Sequence, residues 1–255
     1  MDQLDKAERF RALHVAGRPF VLFNVWDPGS AKVVAKAGAA AIATGSWSVA
    51  RANGFDDGEN IPLALAMDIL ARIVAATTLP VSVDIESGYG NDPEAVYRTV
   101  ERTIEAGAVG CNLEDSFPGS GELRGSQEQV HRIAAARKAS KAASGYFINA
   151  RTDVFFQKPA QMHDVAMIEE ALARARAYAD AGADGLFAPG LMDEALIAKL
   201  AKASPLPLNV MVGESTPTLR KLSDAGVARI SHGPGPYIAA MRALEDAARA
   251  ATARG

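Results

Sequence analysis

The chain has 255 residues, 49% of them hydrophobic and 22% charged, with a formal net charge of −3. That balance lacks the basic footprint of a nucleic-acid or anionic-membrane binder, and its few aromatics are not interleaved with basic residues as a base-stacking surface requires. The single cysteine, Cys111, excludes a disulfide framework and a cysteine-rich zinc site, and the length suits one large α/β domain spanning 1–255.

The chain opens on "MDQLDKAERF", charged and helical in pattern, without the basic-then-apolar profile of a signal peptide. No apolar run reaches the length of a membrane span, so the expected location is cytoplasmic. Eight strands are predicted in chain order: "FVLFNV" (20–25), "AAIATG" (40–45), "VSVDIE" (81–86), "GCNLED" (110–115), "YFINART" (146–152), "GLFAPG" (185–190), "LPLNVM" (206–211) and "ARISHG" (228–233). Helical patterns such as "PLALAMDILARIVAAT" and "MIEEALARARAYADA" separate them. Four phrases, "KAGAAAIATG", "EAGAVGCNLED", "DAGADGLFAPG" and "DAGVARISHGPG", repeat a helix end, a glycine suited to the left-handed position after it, and a buried strand. Strict alternation over this length predicts a (β/α)8 barrel. An open doubly wound sheet would call for GxGxxG in the first turn, which instead reads "WDPGSAKV". The two long connections, "SWSVARANGFDDGENI" and "SFPGSGELRGSQ", both follow strand C-termini, and the second is suited to act as a mobile lid.

Polar residues collect at those same C-termini, where a barrel places its active site. Thr44 and Ser46 follow the second strand, Asp84 and Glu86 end the third, and Asn112, Glu114 and Asp115 end the fourth. Asn149, Arg151 and Asp153 end the fifth, Asn209 lies on the seventh and His232 ends the eighth. Period-two alternation puts Asp84 and Glu86 on one face of their strand. Converging carboxylates repel unless something positive joins them. An oxygen-only donor set with no His/Cys cluster favours Mg²⁺, with Mn²⁺ as the alternative, over zinc. The competing reading is a buried ion network of Asp84, Glu86 and Glu114 with Arg151. Arg151 is suited to bidentate binding of a carboxylate or phosphonate, or to a plain ion pair with Glu114 or Asp153. Thr44, Gly45 and Ser46 offer a hydroxyl and N–H groups to an anion, or simply end a strand. Trp47 lines the pocket or packs beneath the loop. His232 is either an acid/base group or a rim residue, while His14, His131 and His163 read as surface residues. No predicted strand contains a lysine, which argues against a Schiff-base aldolase.

"VDIESGYGNDP", "GAVGCNLED" and "INARTDVF", in that order, resemble the isocitrate lyase/phosphoenolpyruvate mutase superfamily, and the likeness runs from "FNVWDPGSAKVVAKAG" through "YADAGADGLF". The resemblance implies a (β/α)8 barrel with its C-terminal helix exchanged between subunits of a dimer or tetramer, and Mg²⁺ binding a small 2-oxo acid. It implies Asp84 as the direct metal ligand, with Asp57, Glu86 and Glu114 holding metal-bound waters. Thr44, Gly45 and Ser46 would cradle the substrate, Arg151 would contact its anionic groups, and Trp47 and Asn209 complete the expected substrate contacts. Arg151, Glu114 and His232 are the expected catalytic residues. Glu86 stands where the superfamily usually has Asp.

The departures narrow the reaction. Isocitrate and methylisocitrate lyases carry a catalytic Cys in a "KKCGH"-like loop and a Glu after strand six; here those stretches read "SFPGSGELRGSQ" and "FAPG". Phosphonomutases keep Lys, Asn and Ser in the same loop, where this chain offers Ser120, Arg124 and Ser126. What remains is a Mg²⁺-dependent carbon–carbon lyase or decarboxylase of an oxaloacetate-like acid, working through an enolate. Phosphonopyruvate-type carbon–phosphorus chemistry is the alternative, and a non-catalytic 2-oxo acid binder is the alternative of another class.

Overall fold

A computed structural model describes residues 2–143, 145–213 and 215–253. Its strands are β1 (Phe20–Leu22), β2 (Asn24–Val25), β3 (Ile42–Thr44), β4 (Val81–Asp84), β5 (Gly110–Glu114), β6 (Phe147–Arg151), β7 (Gly185–Ala188), β8 (Leu208–Met211) and β9 (Arg229–Ser231). The helices are α1 (Gln3–Ala12), α2 (Pro28–Lys36), α3 (Ser46–Ala52), α4 (Leu63–Ala75), α5 (Pro93–Glu105), α6 (Ser126–Ala139), α7 (Val165–Asp180), α8 (Glu194–Ala203), α9 (Leu219–Asp224) and α10 (Gly235–Thr252).

All neighbouring strands are parallel, in the order β1-β9-β8-β7-β6-β5-β4-β3-β2. β1 and β2 are two halves of the one predicted strand: Phe20–Leu22 pair with β9, Asn24–Val25 with β3, and the change of partner at Phe23 closes the ring. The Asn24 side chain staples that closure, its Oδ1 accepting the backbone N–H groups of His232 (3.1 Å) and Gly233 (2.9 Å). The expected (β/α)8 barrel is therefore present, and every predicted strand matches within two residues at each end.

The repeated Ala-Gly phrase works as its composition requires. Gly38, Gly107, Gly182 and Gly226 follow α2, α5, α7 and α9 with φ between 92° and 104°. After α5, Gly107 and Ala108 donate back to the carbonyls of Ile104 (2.9 Å) and Thr103 (3.0 Å), the paired bonds of a Schellman ending. The first long connection departs from expectation, because its opening residues form α3 rather than loop.

α1 plugs the N-terminal mouth of the barrel. Asp2 and Asp5 form a capping box that starts it, and Phe10 packs edge-on against Phe20 and Phe147 at centroid distances of 6.1 and 5.6 Å. His14, expected at the surface, instead stacks on Phe147 at 3.9 Å. It follows the plugging helix, so its ring is drawn in with Phe10. Burial and the nearby charge of Arg229 pull its pKa down to about 3 and keep the imidazole neutral. No helix among the described residues is long and apolar enough to cross a membrane.

Candidate active site

The strand C-termini surround two connected lobes. The inner lobe, about 260 Å³, includes Trp47, Asp84, Asn112, Phe187 and Met211 in its lining. The outer, about 530 Å³, lies beneath the loop after β5 and is lined in part by Glu86, Glu114, Ser116, Gly119 and Asp153. Ser46, Asp57, Arg151 and Phe156 belong to both.

β4 ends at Asp84, and its carboxylate is held by the turn after β3. The Ser46 hydroxyl donates to Asp84 Oδ2 at 2.8 Å and the Ser46 backbone N–H at 3.1 Å, while Asp84's own N–H donates to Thr44 Oγ1 at 2.9 Å. The donors of Thr44-Gly45-Ser46, read from the sequence as a cradle for a substrate anion, are thus turned in part onto the chain's own carboxylate. Gly45 and Ser46 line the inner lobe; Thr44 lines neither lobe.

Glu86 corrects the strand-face argument. It lies two residues beyond β4 with φ 51°, so it reaches the site from a left-handed turn and not by strand alternation. Gly88, Tyr89 and Gly90 also have positive φ, and a Cβ at Gly90 would stand 2.6 Å from Ala95 Cβ. Only glycine fits there. Two clamps hold this costly backbone: Arg132 donates to the carbonyls of Ser87 and Gly90, and Glu59 accepts from Ser87 Oγ and Tyr89 N, each at 2.7 Å. The Glu59 N–H in turn donates to Glu86 Oε2 at 2.6 Å.

Like charges dominate the electrostatics. Burial, then Asp84 and Asp57, push the Glu86 pKa up to about 8. Burial, then Asp84, raise that of Asp57. Burial likewise raises that of Glu114, against the pull of Arg151. Arg151 is the one cation lining either lobe among the described residues, and it is already engaged, with Glu114 at 2.8 Å and with Asp153 through two bonds of 2.6 and 3.0 Å. Arg151 thus forms the ion pairs expected with Glu114 and Asp153 while lining the pocket, but Asp84 and Glu86, the other acids of the expected network, form no salt bridge with it among the described residues. Behind it, Asp115 accepts the Asp153 N–H (2.9 Å) and bonds Tyr178 (2.7 Å) and Arg174 (3.1 Å), tying the cluster to α7.

Among the described residues no three Asp, Glu, His or Cys side chains close into a ready metal cluster. The donor set nevertheless fits a hard cation that keeps water ligands: it is all oxygen, and Glu86 Oε1 is buried without a hydrogen-bond partner. Asp84, Asp57, Glu86 and Glu114 are the residues that could hold such an ion, directly or through water.

The other expected residues separate. Trp47 lines the inner lobe, with the Arg51 guanidinium 5.6 Å from its ring centroid. Asn209 is buried in the barrel, accepts from Ser231 Oγ at 3.2 Å and lines neither lobe. The His232 ring lies 4.8 Å from that of Phe23 and lines neither lobe, and burial lowers its pKa. Arg124 is buried at the base of the loop, 4.0 Å from the Phe117 ring centroid and paired with Glu128 at 2.6 Å. Sequence reasoning missed Asn24 and Glu59. Asn24 carried the same signal as the others, a polar residue ending an apolar strand; Glu59 sits in a loop whose pairing with the GYG turn has no local signature.

The phosphoenolpyruvate phosphomutase family matches residues 10–252. The chain belongs to this family. An oxaloacetate decarboxylase of Ectopseudomonas mendocina is 32% identical over 94% of this chain and 82% of its own length. A Mycobacterium tuberculosis protein without an assigned activity is 34% identical over 94% of this chain and 88% of its own. Among solved structures, a Burkholderia cenocepacia J2315 protein provisionally named a phosphonomutase is 60% identical, with a TM-score of 0.95 over 98% of this chain and 99% of that one. 2,3-Dimethylmalate lyase, of the phosphoenolpyruvate mutase/isocitrate lyase superfamily, is 27% identical, with a TM-score of 0.80 over 98% of this chain and 88% of that one. The superfamily resemblance read from "VDIESGYGNDP", "GAVGCNLED" and "INARTDVF" is thereby borne out, and the protein is an enzyme of this lyase and mutase family. The loop after β5 presents Gly119, Ser120 and Gly121 to the outer lobe, with no Lys, Cys or His among the described lining residues.

Proposed function

We propose that this enzyme is a Mg²⁺-dependent decarboxylase, or related carbon–carbon lyase, of a small 2-oxo acid for which oxaloacetate is the model. The observation that carries the reading is the charge layout: four carboxylates suited to a divalent cation lie beside a lobe in which Arg151, already paired, is the sole cation among the described lining residues. When bound, the metal ion supplies Lewis-acid polarisation of the substrate's keto oxygen. Asp84 is the group best placed to hold it, because Ser46 fixes its carboxylate from one side.

Trp47, Phe156, Phe187, Pro189 and Met211 give the inner lobe an apolar wall. An unpaired carboxylate is costly against such a wall and neutral CO2 is not, so this surface favours loss of the carboxylate as CO2. The carbon–carbon electron pair stays on C3, where a proton then restores the methyl group; with the His232 ring outside both lobes, water is the donor this reading assigns. A phosphonate remains anionic through carbon–phosphorus cleavage and needs standing cations, and the loop after β5 lines the outer lobe with none among the described residues. The 60% identical relative named as a phosphonomutase favours carbon–phosphorus chemistry as the second reading. A homodimer or homotetramer is part of the proposal, supported by the exposed Ile238, Met241 and Leu244 along α10.

The test is a substrate panel with Mg²⁺: oxaloacetate, phosphonopyruvate and 2-alkylmalates, followed for keto acid and phosphate. Pyruvate from oxaloacetate above the metal-only rate supports the proposal. Phosphate from phosphonopyruvate, with no pyruvate from oxaloacetate, selects the second reading. Ligand-induced thermal stabilisation with no product from any substrate would mark a non-catalytic binder.

A further inference from the structure

Asn112 lies two residues before Glu114 on β5, is 5% exposed and lines the inner lobe. It stands in register with Asp84 on one side and Asn149 on the other. Its amide oxygen is occupied from within the barrel: Oδ1 accepts Asn149 Nδ2 at 2.8 Å and Arg229 Nη2 at 3.3 Å. Arginine has donors and no acceptor, so the oxygen of Asn112, and not its nitrogen, must face Arg229. The Nδ2 group then points the other way, and it donates to no acceptor among the described residues.

The surroundings are built for this one orientation. Arg229 is fully buried between Asn112 and the ring of Phe10, whose centroid lies 5.9 Å away, and among the described residues it makes no ion pair. A cation behind an amide oxygen polarises the amide and strengthens donation from its N–H groups. Asn149 has room because residue 185 is glycine; a Cβ there would stand 2.7 Å from Asn149 Oδ1.

We propose that Asn112 is a substrate-contacting residue, its Nδ2 hydrogens donating to an oxygen of the 2-oxo acid on which negative charge gathers, and that Arg229 and Asn149 are the positioning residues that aim it. The inference rests on the 2-oxo acid reading above. In decarboxylation the oxygen concerned is a carboxylate oxygen in the bound acid or the enolate oxygen after CO2 departs, and a preset donor there acts without reorganising.

The probe is oxalate, a planar mimic of the enolate with adjacent oxygens, titrated calorimetrically in the presence of Mn²⁺. Asn112→Ala is expected to weaken oxalate binding by about 10-fold or more, the range of a lost hydrogen bond to a charged group, with Mn²⁺ affinity measured without oxalate staying within about twofold. Asn112→Asp keeps an acceptor for Asn149 and Arg229, so a purely structural Asn112 would tolerate it; the donor role predicts loss of oxalate binding here as well. Arg229→Met is expected to weaken oxalate by a smaller factor, and Arg229→Lys to restore part of it. Wild-type oxalate affinity in either folded Asn112 variant overturns the proposal, as does a wild-type enzyme that binds no oxalate. Asn112-dependent oxalate binding by an enzyme that leaves oxaloacetate intact would refute the decarboxylase reading and leave this one standing.

Discussion

The two ends of the barrel bury charge in opposite ways. At the N-terminal end a lone cation, Arg229, is held by one amide oxygen and an aromatic ring, under a plug of Phe10, Phe20, Phe147 and His14. At the C-terminal end Asp57, Asp84, Glu86, Glu114 and Asp153 outnumber Arg151, and burial, with the neighbouring carboxylates adding to it, raises the pKa values of Asp57 and Glu86. The lower end buries a single cation, without a counter-ion among the described residues, beneath an apolar plug, whereas the upper end gathers a surplus of carboxylates around one arginine. Substitutions at the two ends should therefore differ in their effect on metal binding.

The largest effect is expected from Asp84→Ala, which should lower Mg²⁺-dependent turnover by at least roughly 100-fold while leaving the metal-free protein no less stable, because a like charge beside Glu86 is gone. Steady-state kinetics and thermal melts read both. Next, Arg151→Met leaves Glu114 and Asp153 buried without their partner and should cost about 3–5 kcal/mol in denaturant unfolding. Phe10→Ala should cost a similar ~3–5 kcal/mol through the cavity it leaves, yet keep Mg²⁺ affinity within about twofold; a large loss of metal binding would break the division between the ends.

A pH series sharpens the same contrast. The folded protein holds the Glu86 proton up to about 8, whereas the unfolded chain releases it near the ordinary value of 4.5. The contribution is therefore fully present below 4.5 and is lost as pH rises through about 8. The metal-free melting temperature should fall by several degrees across that window, and the gain on adding Mg²⁺ should grow, since the ion competes with the proton. A melting temperature that rises from pH 5 to 8 without metal would contradict the upper-end account. The smallest effect is expected from His232→Ala, with kcat changed less than about twofold, because its ring rests on Phe23 outside both lobes.

Much of this was legible in the sequence because period and punctuation are local. The Ala-Gly phrases mark helix ends that only a left-handed residue can make, and apolar strands with polar C-termini locate the mouth of the barrel. The site was legible as a set of residues but not as a geometry. Glu86 looked like the strand partner of Asp84, whereas the chain turns left-handed there, held by Arg132 and by Glu59 from a loop about 30 residues earlier. His14 looked exposed because a plug packed into a barrel mouth leaves no periodic trace. Ser46 looked like an open donor because nothing local shows that its hydroxyl bonds Asp84, 38 residues on.

The most direct test of the central claim is the fate of the carboxylate carbon when oxaloacetate meets the enzyme with Mg²⁺. The account predicts equal amounts of CO2 and pyruvate, formed faster than with Mg²⁺ alone and reduced to that background in Asp84→Ala. Oxalate and acetate as products, or wild-type CO2 release by Asp84→Ala, would contradict it.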